Sequence, residues 1–191
     1  MKSHKWHIGI DEAGRGPLAG PVSVGAVMVK SDFDFSIFKN LKDSKKLSES
    51  KREEFFEVIN KKIKYKVVMV SNKVIDKKGI SYAIKFAIKS LLKKLNPNIK
   101  NTKIFLDGAL KAPEEFMQET IIKGDEKIPA ISLASIMAKV TRDRYMKKIS
   151  NKYPAFNFDI HKGYGTKMHI EAIKKHGPSE LHRKSFISRI I

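Results

Sequence analysis

Residues 6–30 read WHIGIDEAGRGPLAGPVSVGAVMVK. The apolar run at 6–10 ends on two adjacent acids, Asp11 and Glu12, and a second, valine-rich run spans 20–30. Short runs rich in β-branched residues and bounded by glycine and proline are strands. The stretch between the two runs is too short for a crossover helix, and parallel neighbours need one. The runs therefore pair with each other directly, which argues against a purely parallel dinucleotide-binding sheet and predicts a mixed one. The connecting GRGPLAG is no nucleotide loop: its third glycine falls at the wrong spacing for G-x-G-x-x-G, and no G-K-[ST] occurs in the chain. Its glycines instead let a backbone approach a ligand closely, with exposed N–H groups as donors.

Downstream, strands and helices alternate. Residues 49–62 carry an apolar stripe of Phe55, Phe56 and Ile59, with Ser50 and Glu53 at capping-box spacing. Residues 64–71 read as a strand. Residues 80–95 repeat Ile80, Ala83, Ile84, Ala87, Ile88, Leu91, Leu92 and Leu95 at helical spacing, and NPN stops them. KIFLD at 103–107 is a short strand, ETIIKGD reads as a further strand ending at Asp125, and a long helix starts at Pro129, a residue favoured in first turns. A loop covers 153–165, and a helix at 166–175 ends before Gly177-Pro178. This pattern predicts an α/β fold, a mixed sheet flanked by helices. The 191 residues favour one domain, 1–191.

Composition bounds the function. Hydrophobic residues make up 41%, enough for a core. No apolar run is long enough to span a membrane, and no secretory h-region is present, so the expected location is cytoplasmic. With no cysteine there are no disulfides and no thiolate metal ligands. The formal charge of +19 suits a polyanion, nucleic acid being the commonest. A lysine-rich compositional bias on a solvated surface explains part of the same excess.

Three acids recur after apolar runs: Asp11, Asp107 and Asp125, with Glu12 following Asp11. Strand ends that adjoin in a sheet bring such residues together. Four carboxylates in one pocket repel one another and call for hard divalent cations, which take oxygen ligands, waters and phosphate oxygens. Beside a basic surface, that is the requirement for two-metal phosphodiester hydrolysis. Taken singly, Asp107-Gly108 and Asp125 also read as turn residues. The pair Asp11-Glu12 ahead of AGRG has no such folding purpose.

The segments DEAGRGPLAGPV, DSKKLS, FLDG, KGD, ASIMAKVTRDRYM, HKGYGTKMH and HRKSF stand in the order found in type 2 ribonuclease H, ribonuclease HII, and nearly the whole chain resembles that family. The resemblance implies a ribonuclease H-like fold with a C-terminal helical extension, about 150–191. It implies an endonuclease that cuts RNA in RNA–DNA hybrids and nicks 5′ of single ribonucleotides in duplex DNA, leaving 3′-hydroxyl and 5′-phosphate ends. By motif, Asp11, Glu12, Asp107 and Asp125 are the catalytic, metal-binding carboxylates, for two Mn²⁺ or Mg²⁺ ions. Gly14, Arg15 and Gly16 form the loop that feels for a ribose 2′-hydroxyl, and Tyr164 packs against the sugar. Lys45 and Lys46 resemble phosphate contacts, though a solvated loop explains them nearly as well. The expected form is a monomer acting on RNA–DNA hybrid and ribonucleotide-containing duplex DNA. FISRII at the end is no clear clamp-binding peptide.

Other residues take plainer readings. Asp143 is the rival for the fourth acid, but it lies four residues from both Lys139 and Lys147, and helical ion pairing accounts for it. His161, His169, His176 and His182 lie close in sequence, but without cysteine or H-E-x-x-H they do not suggest zinc. His169 and His176 are expected on the surface or groove, and His182 and Arg183 in packing and channel support. Trp6 and Phe105 flank the acids and are expected in the core. The rival activities are a type 3 ribonuclease H, disfavoured by the ten residues before Asp11, and a non-catalytic basic binding module, which gives the four acids no role.

Overall fold

The computed structural model describes residues 4–39, 41 and 47–190. Lys45 and Lys46 lie outside the described residues. Five strands form one sheet in the order β3-β2-β1-β4-β5: β1 Trp6–Ala13, β2 Val22–Lys30, β3 Lys64–Val70, β4 Thr102–Asp107 and β5 Met117–Ile121. β1 pairs antiparallel with β2, and β2 with β3. β4 runs parallel to both β1 and β5. The mixed sheet follows from chain economy: β1 and β2 are joined by eight residues, 14–21, whereas the parallel β4 is reached only after three helices.

Alternation along each strand supplies two faces. Ile8, Ile10, Val24, Ala26, Ile104 and Leu106 face α3 (Ile80–Leu95) and pack with Ala83, Ile84, Ala87, Ile88, Leu91 and Leu92. The other face carries Val27 and Val29 against α1 (Glu49–Lys62) and the long α5 (Pro129–Ser150). On that face Gly9 and Gly25 replace side chains. A Cβ on Gly9 would stand 2.1 Å from the Ala130 carbonyl carbon, and one on Gly25 2.4 Å from the Ala134 oxygen. Helix α5 is thus laid directly on the strands that carry Asp11. Backbone cannot yield as a side-chain tip can, so Gly25→Ala should lower stability by about 1–3 kcal/mol in denaturant unfolding.

The remaining elements are α2 (Asn72–Lys78), the short α4 (Gly124–Lys127), α6 (Phe158–His161), α7 (Lys167–His176) and α8 (Lys184–Ile187). The last three form the C-terminal extension, whose own small core holds Ala19, Met146, Phe156, Phe158, Ile173 and Ile187. Several local expectations are corrected. Helix α1 is capped by Ser48, whose side chain accepts from the Lys51 N–H, and not by Ser50. Asp125 does not end a strand: β5 stops at Ile121, Lys123 turns left-handed, and Asp125 sits in α4. The segment at 153–165 is partly helical. Trp6 is half-buried and packs against the core, whereas Phe105 is half-buried outside it, its ring meeting His7 edge-on and the Lys103 ammonium.

Candidate active site

Strand β1 does not stop before its acids but runs through them. Ile10 stands beside Leu106 in the parallel β1–β4 ladder, so Asp11, two residues before the end of β1, and Asp107, the last residue of β4, follow as neighbours, with strands about 4.8 Å apart. Asp11, only 5% exposed, faces α5, where the Ser135 side chain slightly offsets the rise of its carboxyl. Its Oδ1 accepts the Glu12 N–H at 2.7 Å. Burial first, then the Asp107 and Glu12 charges, push its carboxyl well above the usual carboxylate range. Glu12 is raised too, by burial and the Asp107 charge, against the lowering effect of Arg15. Arg15 Nη1 bonds Glu12 at 3.2 Å.

Asp107 is fixed by the Gly124 N–H, which donates to its Oδ1 at 2.6 Å. Gly124 has no room for a side chain: a Cβ there would meet Ile131 at 2.6 Å. Asp125 follows Gly124, is fully buried, and its main-chain carbonyl accepts from the Ser132 hydroxyl. Charge therefore couples Asp11, Glu12 and Asp107, while Asp125 is tied to them through its neighbour. Among the described residues, no three Asp, Glu or His side chains gather closely enough to enclose a metal ion. The coupled acids are hard oxygen donors, and among the described residues the Arg15 guanidinium offsets the charge of Glu12. That chemistry fits a hard divalent cation bound in an open manner, with waters and a phosphate completing its shell.

A cleft of about 350 Å³ opens beside the acids. Glu12, Gly14, Arg15, Gly16 and Tyr164 line it, together with Arg52, Ser135 and Lys139. The structure thus brings the glycine loop and Tyr164 to the same cavity as Glu12; Asp11, Asp107 and Asp125 are not among its lining residues. The Tyr164 ring, 42% exposed, lies 5.7 Å from both the Lys139 ammonium and the Arg142 guanidinium. Lys139 also bonds Asp143 at 3.0 Å, so the helical ion pair expected for Asp143 is present; Lys147 turns instead to Glu49.

Two arginines hold the site: Arg183, expected in packing, and Arg142, which the sequence did not single out. Arg142 and Arg183 are both fully buried. Arg142 donates to the carbonyls of Ala19, Pro21 and Lys162 at 2.9–3.1 Å. Arg183 donates to Gly14, Arg15 and Gly20 at 2.7–3.0 Å. Burial, then the Arg142 charge, brings the Arg183 guanidinium down to about 9. The signal for Arg142 was its place on the buried stripe Ala134, Ala138, Arg142, Met146, four residues apart on α5.

Among the histidines only His169 is corrected; His182 is buried in packing as expected. His176 is exposed, but His169 is completely buried, stacked on His161 at 4.3 Å and bonded to His182 at 3.0 Å between Nε2 atoms. His169 Nδ1 meets the Tyr164 carbonyl at 2.9 Å, so the cluster supports the backbone of the cleft tyrosine.

Comparison with known proteins agrees with this geometry. The family model described as Ribonuclease HII matches residues 8–189. The Ribonuclease HII of Caldicellulosiruptor bescii is 46% identical over 193 residues, covering 100% of this chain and 90% of that protein. The solved ribonuclease H2 of Pyrococcus horikoshii OT3 superposes with a TM-score of 0.76 at 28% identity, over 97% of this chain and 96% of that one. The RNase HII of Archaeoglobus fulgidus, solved in complex with PCNA, superposes with a TM-score of 0.77 at 29% identity, over 95% and 94%.

Proposed function

Because the chain belongs to the ribonuclease HII family and is accordingly a metal-dependent ribonuclease H acting on RNA–DNA hybrids, we propose that it also nicks duplex DNA 5′ of single embedded ribonucleotides. The products are 3′-hydroxyl and 5′-phosphate ends, and residues 1–191 act as one domain and as a monomer. The observation that carries this reading is one cleft shared by Glu12, which is charge-coupled to Asp11 and Asp107, with the Gly14–Gly16 loop and Tyr164.

Each residue has a task its position suits. Asp11, Glu12 and Asp107, with Asp125 as the fourth ligand, hold two divalent cations, Mg²⁺ or Mn²⁺. When bound, such ions activate water and stabilise a leaving 3′ oxygen. RNA differs from DNA at a given position by one hydroxyl that both donates and accepts, so discrimination needs placed hydrogen-bond partners there. Backbone groups of residues 14–16 supply them where side chains would block the groove. The exposed Tyr164 ring flanks the sugar, and Lys139 and Arg52 at the rim of the cleft meet backbone phosphate. Asp11 and Asp107 position charge and supply no covalent nucleophile.

The test is incubation with a duplex carrying one ribonucleotide, in manganese and in EDTA. A metal-dependent nick 5′ of the ribonucleotide is expected. Cleavage confined to long hybrids would favour type 3 specificity, and no nick at all would leave only a binding module. Tyr164→Ala should reduce nicking at the single ribonucleotide by about tenfold or more, with a smaller loss on long hybrids, since one lost stacking contact amounts to ~1–3 kcal/mol. Equal losses on both substrates would remove the sugar-testing role from the tyrosine.

A further inference from the structure

The geometry points to Arg183 as the positioning residue that aims the N–H groups of Arg15 and Gly16 into the cleft, and so sets the selection of a ribose 2′-hydroxyl. This inference rests on the reading of the loop as the hydroxyl sensor. Its physical basis is the planarity of the peptide bond. In a trans peptide the C=O of one residue and the N–H of the next point in opposite directions, and the chain contains no cis bonds. Arg183 Nη2 takes the Gly14 carbonyl at 2.7 Å and Nη1 takes the Arg15 carbonyl at 2.9 Å. Both carbonyls are thereby turned towards the buried guanidinium, and the N–H groups of Arg15 and Gly16 are turned away from it.

Away from it lies the cleft, because residues 14–16 line that cavity. Among the described residues, neither N–H has a protein acceptor. Gly14 makes the arrangement possible: its φ is +86°, and a side chain there would collide with Arg142 at 2.1 Å. A planar guanidinium with a fixed fork of donors can orient two successive peptide planes at once, while lysine offers a single rotating point charge. Arg183 also reaches Gly20, and its own N–H donates to Leu18. The C-terminal extension thus sets the conformation of the loop from behind without touching substrate.

Affinity for a duplex with one ribonucleotide and for the same duplex in all-DNA form, both measured in EDTA, tests this. The unaltered protein should prefer the ribonucleotide duplex; if it binds both alike, the reading of the loop fails before Arg183 is reached. Given that preference, R183K should lower it about tenfold, the loss of one well-placed hydrogen bond, with affinity for all-DNA duplex unchanged. Asn72→Ala separates positioning from general loosening. Asn72 donates to the Glu180 and His182 carbonyls and so anchors the same segment without touching residues 14–16. It should lower Tm and keep the preference. An undiminished preference in R183K, or an equal loss in N72A, would overturn the assignment. If R183K does not fold, the Arg15 and Gly16 amide resonances of the unaltered protein decide. They should shift with the ribonucleotide duplex and not with all-DNA duplex, and amides indifferent to both would equally sink it.

Discussion

Asp11→Asn should reduce cleavage by about 10³-fold or more, while metal-free protein at neutral pH becomes more stable and duplex binding is retained. The first effect follows from removing a charged ligand: the stabilisation of developing charge by a bound cation is worth several kcal/mol, and about 4 kcal/mol is a factor near 10³. The second follows from the carboxyl's surroundings. Asp11 is buried beside Asp107 and Glu12, and its folded-state pKa is raised. For an acid raised in this way, stability is fully present below the unfolded value near 3.9 and is lost as pH rises through the folded value. Above that window the metal-free protein carries an unfavourable buried charge. An asparagine keeps the size and can still accept the Glu12 N–H, without the charge. Thermal melts across pH read this directly: the variant should exceed the unaltered protein at neutral pH and converge with it in acid. Manganese should raise the Tm of the unaltered protein, since a ligand bound only by the folded state stabilises it by mass action. The variant should lose most of that shift. A variant that keeps both nicking and the manganese shift would show that Asp11 is no ligand.

Much of this site could be read before any coordinates. The β1–β2 pairing followed from two apolar runs with too little chain between them for a crossover, and the ladder from Trp6↔Lys30 to Ala13↔Ser23 bears it out. Helix α3 was legible because seven of its buried residues keep strict helical spacing. Asp11 and Asp107 were legible as acids at strand ends, which the sheet then sets side by side. What escaped was everything that depends on burying a polar group. Composition places arginine mostly at the surface, and only tertiary structure supplies the main-chain carbonyls that satisfy Arg142 and His169 inside; Arg183 was expected in packing through the resemblance alone. Gly9 and Gly25 escaped for the opposite reason: a missing side chain shows its purpose only when a helix lies on it. Asp125 was misplaced because strand periodicity continues through 121–122, and the left-handed turn at Lys123 leaves no mark in a hydrophobicity pattern.

The buried histidines lead to a prediction of comparable size: acidification between about pH 6.5 and 4 should loosen the C-terminal extension and disable the cleft before the sheet unfolds. The hydrogen bonds assign every ring in the cluster as neutral. The Ser179 N–H donates to His182 Nδ1 at 2.8 Å, leaving the hydrogen of His182 on Nε2, where it meets His169 Nε2 at 3.0 Å. His169 must then carry its own hydrogen on Nδ1, which donates to the Tyr164 carbonyl. His161 accepts the Gly163 N–H at Nδ1 and donates from Nε2 to Phe156. Each ring nitrogen has a partner, and His182 Nδ1 also lies 2.9 Å from the Ser179 hydroxyl and 3.3 Å from its carbonyl. Protonating either His169 or His182 sets two N–H groups head to head. Burial holds all three rings below the ordinary histidine value, His169 at about 4. For a base lowered in this way, stability is complete above the unfolded value near 6.5 and is lost as pH falls through the folded value. A drop from 6.5 to about 4 at His169 alone is on the order of 3 kcal/mol. Because His169 holds the Tyr164 carbonyl and His182 adjoins Arg183, this loss reaches the sugar-reading face first. Hydrogen exchange at pH 5 should show the amides of residues 161–183 opening ahead of those of β1 and β4. His169→Gln should flatten the pH dependence of Tm over the same interval, since glutamine has no titrating proton. An unchanged slope would place the acid sensitivity elsewhere.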